Sequence, residues 1–272
     1  MQELKDRVAV VTGGGSGIGR GMAHAFADAG MRVVLADIES DAAERVRREV
    51  EERGVPCLAT QTDVTRREDL VALADHVYDA FGACHLLCNN AGVATFAAMD
   101  ASSADDWSWV LAVNLHGVVH GLQAFLPRMR EQAGEKHVVN TASIAALGGF
   151  PGLGPYVASK HAVLGISETL RLEGRTYELS CSVLCPGNVN TGIVASARNR
   201  QPDFGGPEAQ QDAEYREAIE RGMDPLDVGR MVRQAVLDDD AFIFTHPESR
   251  RIVERRYQAM CEAYDKTERR GS

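Results

Sequence analysis

The sequence predicts an α/β fold: a doubly wound parallel sheet with helices on both faces, built as one domain over residues 1–272. Three observations predict it. Short β-branched apolar runs alternate with longer stretches of helical period, the pattern of strand–helix–strand units. The glycine-rich turn TGGGSGIG, at 12–19, lies between the first apolar run and the first helical stretch, where a phosphate-binding turn would sit. At 272 residues and 44% apolar content, the chain is long enough to bury one large core.

RVAVVTGGG reads as a first strand entering the glycine turn, and RGMAHAFADAG as a helix closed by Gly30. The glycines at 13, 14, 15, 17 and 19 depart from the G-x-G-x-x-G spacing. Taken alone, the turn fits a generic glycine turn as well as a dinucleotide site. A second strand, MRVVLADIE, reaches Asp37, eighteen residues past Gly19. A carboxylate about 20 residues beyond such a turn is placed to accept hydrogen bonds from adenosine ribose hydroxyls. The same charge repels a 2′-phosphate, and neither Ser16 nor Ile38 is a cation that would offset it, so NAD is favoured over NADP. Asp37 is also placed to cap the next helix, ESDAAERVRREVEER.

CHLLCNN, KHVVNT and LSCSVLC read as further buried strands, and a last strand falls near 241–245. Ser143 stands just after the second of these, at a strand's carboxyl end, where open α/β sheets form ligand crevices. Its hydroxyl either faces that crevice or bonds its own turn backbone. PYVASKHAVLGISETLRLEG reads as a helix stopped at Gly174, with Tyr156 and Lys160 four residues apart on one face. An ammonium within a few ångström of a phenol favours phenolate, so the spacing predicts a Tyr156 pKa drawn from about 10 toward neutrality, suited to a general base. The isolated pair also fits a packed tyrosine beside a solvated lysine.

Together, T-G-x-x-x-G-x-G at 12–19, Asp63-Val64, NNAG at 89–92, Asn114, Ser143, Tyr156, Lys160 and Pro186-Gly187 resemble the short-chain dehydrogenase/reductases, in order from about position 5 to 193. The resemblance implies a Rossmann fold and a dehydrogenase or carbonyl reductase using NAD. By the same resemblance Tyr156 is the catalytic acid/base, Lys160 its pKa modulator and ribose ligand, and Ser143 the hydroxyl orienting the substrate oxygen. Asn114 holds a water behind Lys160. Gly13, Ser16, Gly17, Ile18 and Gly19 form the phosphate turn, Asp63 and Val64 contact adenine, and Asn90 and Gly92 line the cofactor. Pro186 and Gly187 precede Val189 and Thr191, which hold the carboxamide. Asp63 is equally an ordinary strand-end turn residue, and Asn114 a buried helix amide bonded to backbone. Members of the family are commonly homodimers or homotetramers.

Residues 188–225 open with turn residues and continue as a charged helical stretch, the composition of a lid over a pocket or of a solvated surface insertion. As a lid, it offers Asn188, Ile193 and Val194 to substrate, with Leu147, Phe150 and Leu153 as the opposite wall. Such a pocket suits a hydrophobic alcohol or ketone. The tail, 246–272, is a charged helix after His246-Pro247. Together with NVNTGIVASARNRQPDFGG, it is similar to the branch of the family that oxidises benzylic alcohols of lignin-type aryl ethers.

A net charge of −10 without a basic cluster argues against nucleic acid and anionic membrane as partners. The sequence reads without an apolar run near the ~20 residues of a membrane span, and MQELKDR lacks a signal peptide's apolar segment, so a cytoplasmic location is expected. Six cysteines occur; Cys84 with Cys88, and Cys181 with Cys185, read as pairs on buried strand faces, and no metal is expected. The reading is an NAD-dependent oxidoreductase moving hydride between nicotinamide and a hydrophobic secondary alcohol or ketone. Its rivals are an NADPH-dependent ketone reductase, which Asp37 disfavours, and a non-catalytic dinucleotide-binding scaffold, which the intact Asn114, Ser143, Tyr156 and Lys160 set disfavours.

Overall fold

In the computed structural model, which describes residues 1–207 and 213–271, the chain alternates strand and helix through its first half. The order is β1 (Val8–Thr12), α1 (Gly17–Asp28), β2 (Arg32–Asp37), α2 (Ser40–Glu51), β3 (Cys57–Gln61), α3 (Arg67–Phe81) and β4 (Leu86–Asn89). One long helix follows in three parts: α4 (Ala104–Leu111), a π-helical turn Ala112–His116, and α5 (Gly117–Glu131). Next come β5 (Lys136–Thr141), α6 (Gly154–Gly174) and β6 (Leu179–Cys185). The 3₁₀ turns Ile193–Asn199 and Pro202–Phe204 lead toward α7 (Ala213–Glu220), α8 (Pro225–Asp238), β7 (Phe242–Phe244) and α9 (Arg250–Gly271).

The strands form one sheet in the order β3-β2-β1-β4-β5-β6-β7, and every adjacent pair is parallel. Successive side chains point to opposite faces, and both faces are covered. Val8, Val10 and Val34 pack in the cluster that contains Leu70, Trp109 and Phe125. Ala9, Val11, Val33 and Leu35 pack in the cluster that contains Phe26, Val46 and Val232. The chain runs outward from β1 to β3 and then returns to β4, so the direction of winding reverses between β1 and β4. That switch point opens a crevice at the strands' carboxyl ends.

Two expectations change. The continuous helix Ala104–Glu131 is long and apolar enough to cross a membrane by length and composition, with 28 residues. Here its apolar residues Trp109, Val113, Phe125 and Met129 lie in the core, which accounts for its hydropathy. Cys181 and Cys185 do share one face, but Cys84 precedes β4 and packs on the opposite side from Cys88; the shared-face rule holds only inside a strand.

Candidate active site

The carboxyl ends of the strands carry Thr12, Asp37, Asn89, Thr141 and Cys185, and the segments that follow line a cavity of about 490 Å³. At the glycine turn, Gly13 adopts φ +65°, and a Cβ there would meet the Ala91 backbone at 2.9 Å. A Cβ on Gly19 would lie 2.0 Å from the Gly13 carbonyl oxygen, so helix α1 starts hard against the turn that precedes it. Gly13, Ser16, Gly17 and Ile18 line the cavity. Gly19 lies beneath them, and its part is to permit this packing.

Asp37 lines the cavity next to the turn. Its Oδ2 accepts from the Gly15 N–H at 2.8 Å and its Oδ1 from the Glu39 N–H at 2.9 Å. Helix α2 begins after Glu39 and has no side-chain cap, so Asp37 does not cap it. Burial pushes the Asp37 carboxyl up, and the two N–H donors act in the opposite sense.

Asn90 ties the site's floor together, its Nδ2 donating to the Thr12 carbonyl at 3.0 Å and its Oδ1 accepting from Thr141 Oγ1 at 3.2 Å. Gly92 lies in front of Lys160, where a Cβ would be 3.5 Å from both Lys160 Nζ and Asn114 Oδ1. Asp63 is both a strand-end turn residue and a cavity residue. Its Oδ1 accepts from Thr65 N and Thr65 Oγ1 at 2.9 and 2.7 Å, while Asp63 and Val64 line the cavity. Pro186, Gly187, Asn188, Val189 and Thr191 line it after β6.

Tyr156, Lys160 and Ser143 meet in the cavity wall. Ser143 fulfils both expectations, since it lines the cavity and its Oγ accepts from its own turn at Ala145 N, 3.1 Å away. Lys160 Nζ donates to the Thr141 carbonyl at 2.8 Å and lies 5.5 Å from the Tyr156 ring centroid. The expected lowering of the tyrosine pKa is not found. Burial pushes the Tyr156 phenol up, against the opposing pull of the nearby Ser143 hydroxyl, and burial likewise lowers Lys160 to about 8. Helical spacing put the two residues on one face, but burial dominates the shift of each, and neither side chain figures in the shift of the other.

Asn114 sits in the π-helical turn, fully buried and outside the cavity lining. Its Oδ1 accepts from Val93 N at 2.8 Å, and its Nδ2 donates to Val93 O at 2.9 Å and to Ser159 Oγ at 3.1 Å. Ser159 Oγ in turn donates to the Tyr156 carbonyl at 2.7 Å. The extra residue of a π turn rotates this amide toward the β4 loop.

Two residues expected in the substrate wall do not line the cavity. Ile193, Phe150 and Leu153 do, whereas Leu147 closes the 3₁₀ turn Ile144–Ala146 and is buried in the core cluster against which Ile252 packs. Val194 follows Ile193 in a 3₁₀ turn, so it points about 120° away and is buried. Sequence reading missed the aromatic end, Phe96, Trp109 and Tyr215, together with Ile219. The Phe96 and Tyr215 rings pack with centroids 4.7 Å apart. It also missed Glu39, Arg198, Asn199 and Gln201. Glu39 Oε1 accepts from Arg198 Nε and from Asn199 Nδ2, both at 2.7 Å, and Gln201 Nε2 donates to Asp63 Oδ2 at 2.8 Å. Between them Arg200 is buried, donating to Asp106 Oδ1 at 2.9 Å and lying 5.4 Å over the Trp109 ring. The sequence reading places this run in a segment that is either a lid or a solvated insertion, and no periodicity signals the inward contacts of these residues.

Residues 7–202 match the family model described as short chain dehydrogenase. The chain belongs to the short-chain dehydrogenases. This short-chain dehydrogenase is 32% identical, over 97% of its length and 88% of the relative's, to the C alpha-dehydrogenase of Sphingobium sp. strain SYK-6. Among solved structures it resembles a short-chain dehydrogenase/reductase from Burkholderia phymatum in complex with NAD, with TM-score 0.91, 39% identity and 96% of each chain covered. It also resembles the apo form of LigD from Sphingobium sp. strain SYK-6, with TM-score 0.82, 30% identity, and 96% and 98% of the two chains covered. The short-chain dehydrogenase is accordingly an oxidoreductase, and structural relatives of this kind hold nicotinamide dinucleotides.

Proposed function

We propose that this enzyme uses NAD to oxidise a secondary alcohol whose carbinol carbon carries an aromatic group, and reduces the matching ketone in reverse. The observation carrying the reading is one continuous cavity lined by Asp37 and the glycine turn, by Ser143, Tyr156 and Lys160, and by the aromatic residues Phe96, Trp109 and Tyr215. The open crevice at the switch point, the Gly13 turn and the exposed edge of Asp37 fit a dinucleotide. When bound, NAD supplies the hydride acceptor.

The chain's own residues do the rest. Ser143 orients the substrate oxygen and Tyr156 takes its proton, so that proton removal accompanies loss of hydride from the carbinol carbon. Lys160 holds the cofactor ribose and returns positive charge to the buried phenol. Asn114 is a positioning residue in this scheme: through Ser159 it fixes the turn of helix that carries Tyr156. Gly13, Ser16, Gly17 and Ile18 face the phosphates, Asp63 and Val64 the adenine, and Asn90, Gly92, Pro186, Gly187, Val189 and Thr191 the nicotinamide half.

Asp37 and Glu39 side by side give the ribose end two carboxylates, and the cavity-lining cation Arg198 is already paired with Glu39, which favours NAD over NADP. The aromatic end is the reason for preferring a benzylic or other aryl carbinol to a sugar, since apolar ring faces match one another and leave hydroxyls unpaired. The name of the Sphingobium relative, C alpha-dehydrogenase, agrees with oxidation at such a carbon. Ile193 and helix α7 act as a lid over this end. Assembly as a dimer or tetramer belongs to the same reading, supported by the exposed Val253, Tyr257, Met260 and Tyr264 of α9.

The test is NAD reduction followed at the nicotinamide absorbance, across benzylic, aliphatic, steroid and sugar alcohols. Secondary benzylic alcohols should give the highest kcat/KM. A sugar alcohol surpassing them would overturn the substrate class, and NADP surpassing NAD would overturn the cofactor assignment.

A further inference from the structure

The adenosine end of the cavity contains a hydrogen-bonding group that the fold leaves unused. Gln201 follows Arg200, whose guanidinium is pinned to Asp106 and to the Trp109 ring, so its backbone position is fixed from the core side. Its side-chain Nε2 donates to Asp63 Oδ2 at 2.8 Å. An ionised carboxylate only accepts, so this contact decides which way the amide faces: nitrogen toward Asp63, oxygen away from it. That oxygen, Oε1, is buried and has no hydrogen-bond partner.

Buried acceptors are nearly always paired, and an orphan in a cavity wall asks for a donor from a ligand. The neighbouring acceptor is already engaged, because Asp63 Oδ1 takes both the N–H and the hydroxyl of Thr65. Thr62, Asp63, Val64 and Gln201 together bound this end of the cavity. On the dinucleotide reading given above, on which this inference rests, the group that enters here is adenine, whose 6-amino group is the N–H donor of a base whose ring nitrogens N1, N3 and N7 only accept.

We propose that Gln201 is an adenine-recognising residue: its amide oxygen accepts from the 6-amino group while its amide nitrogen stays on Asp63. Recognition of the base is thereby supplied by a segment that also carries Ile193, the apolar contact at the substrate end. The stretch after β6 closes the groove at both ends.

The experiment compares equilibrium binding of NADH with that of its analogue in which the adenine 6-amino group is a keto oxygen, read by nicotinamide fluorescence and calorimetry without substrate. The wild-type protein should bind NADH roughly tenfold more tightly than the keto analogue, because the change sets oxygen against oxygen. Gln201→Met keeps the bulk and removes the acceptor, and should bring the two affinities to within about twofold. A general structural role would weaken both ligands and leave their ratio unchanged, which overturns the inference. So does wild-type protein that binds both equally, a result that requires no variant to fold. If wild-type protein binds neither dinucleotide, the cofactor reading itself fails and carries this inference with it.

Discussion

Arg198 donates its Nε to Glu39 Oε1 at 2.7 Å, joining the segment after β6 to the loop after β2 across 159 residues of sequence. The contact brings a cation next to the cavity-lining carboxylates Asp37 and Glu39, a place where Ser16 and Ile38 supply none. Its charge is matched by Glu39, whose own pKa is lowered chiefly by this hydrogen bond.

The cofactor preference should therefore follow Asp37. NAD is expected to bind at least tenfold more tightly than NADP, on the scale of about 1–3 kcal/mol for a hydrogen bond to a charged group, and Asp37→Ala should shrink that margin. Protonation removes the repelling charge, so the margin should also narrow as pH falls through the burial-raised pKa of Asp37. Calorimetry with both dinucleotides at pH 7 and at lower pH checks both statements.

Tyr156→Phe should remove at least 99% of turnover, a loss of roughly 10²-fold or more, with NADH affinity nearly unchanged. Lys160→Ala should harm both, since in the proposed scheme the amine holds the ribose as well as supplying charge to the phenol. Single-turnover rates and fluorescence titration separate the two effects, and a Phe variant retaining most of its rate would place the base elsewhere.

Burial holds Lys160 at about 8, below its ordinary 10.5. Between those values the unfolded chain keeps a proton that the folded protein has released, so stability should rise with pH across that window. Below about 8 both states are charged and the burial penalty is fully felt. The gain for unliganded protein is on the order of 3 kcal/mol by the linkage relation. Denaturant midpoints from pH 7.5 to 10.5 should show this rise in wild-type protein and a flatter profile in Lys160→Met.

Tyr215→Ala and Phe96→Ala should raise KM for aryl carbinols about tenfold, the scale of a lost aromatic contact and its buried area, and leave NADH affinity alone. An unchanged ranking of benzylic over aliphatic alcohols in both variants would place the substrate at a different wall.

Hydrogen exchange should divide the segment after β6 into two parts. Amides of the 3₁₀ turn Ile193–Asn199, where Val194, Ser196 and Ala197 are buried, should be protected before any ligand is added. Those of α7 (Ala213–Glu220) should gain protection only in a ternary complex with cofactor and alcohol. Uniform protection without ligand would identify the whole stretch as a fixed insertion.

The sheet and the reactive groups were legible in the sequence because each depends on local rules. Short β-branched apolar runs marked the strands, the glycine turn marked a candidate phosphate site, and helical spacing put Tyr156 and Lys160 together. The direction of the Tyr156 shift was not legible, because burial is a property of the packed site and not of an i, i+4 pair. Leu147 and Val194 were misplaced for a similar reason: in 3₁₀ turns a single residue step decides between cavity and core. Arg198, Asn199 and Gln201 lay in a polar stretch without periodicity, and their partners Glu39 and Asp63 are more than a hundred residues away.

The cysteines carry a practical consequence. Burial pushes the thiols of Cys57, Cys181 and Cys185 up to about 12, and those of Cys84 and Cys88 upward as well, which leaves them without the thiolate needed for alkylation. Cys261, on α9, is the one cysteine that is not buried. A maleimide dye added to the native enzyme will thus attach at one address, on the same helix as Tyr257, Met260 and Tyr264. The labelling rate, followed against protein concentration, reports directly whether a second copy of the chain covers that helix.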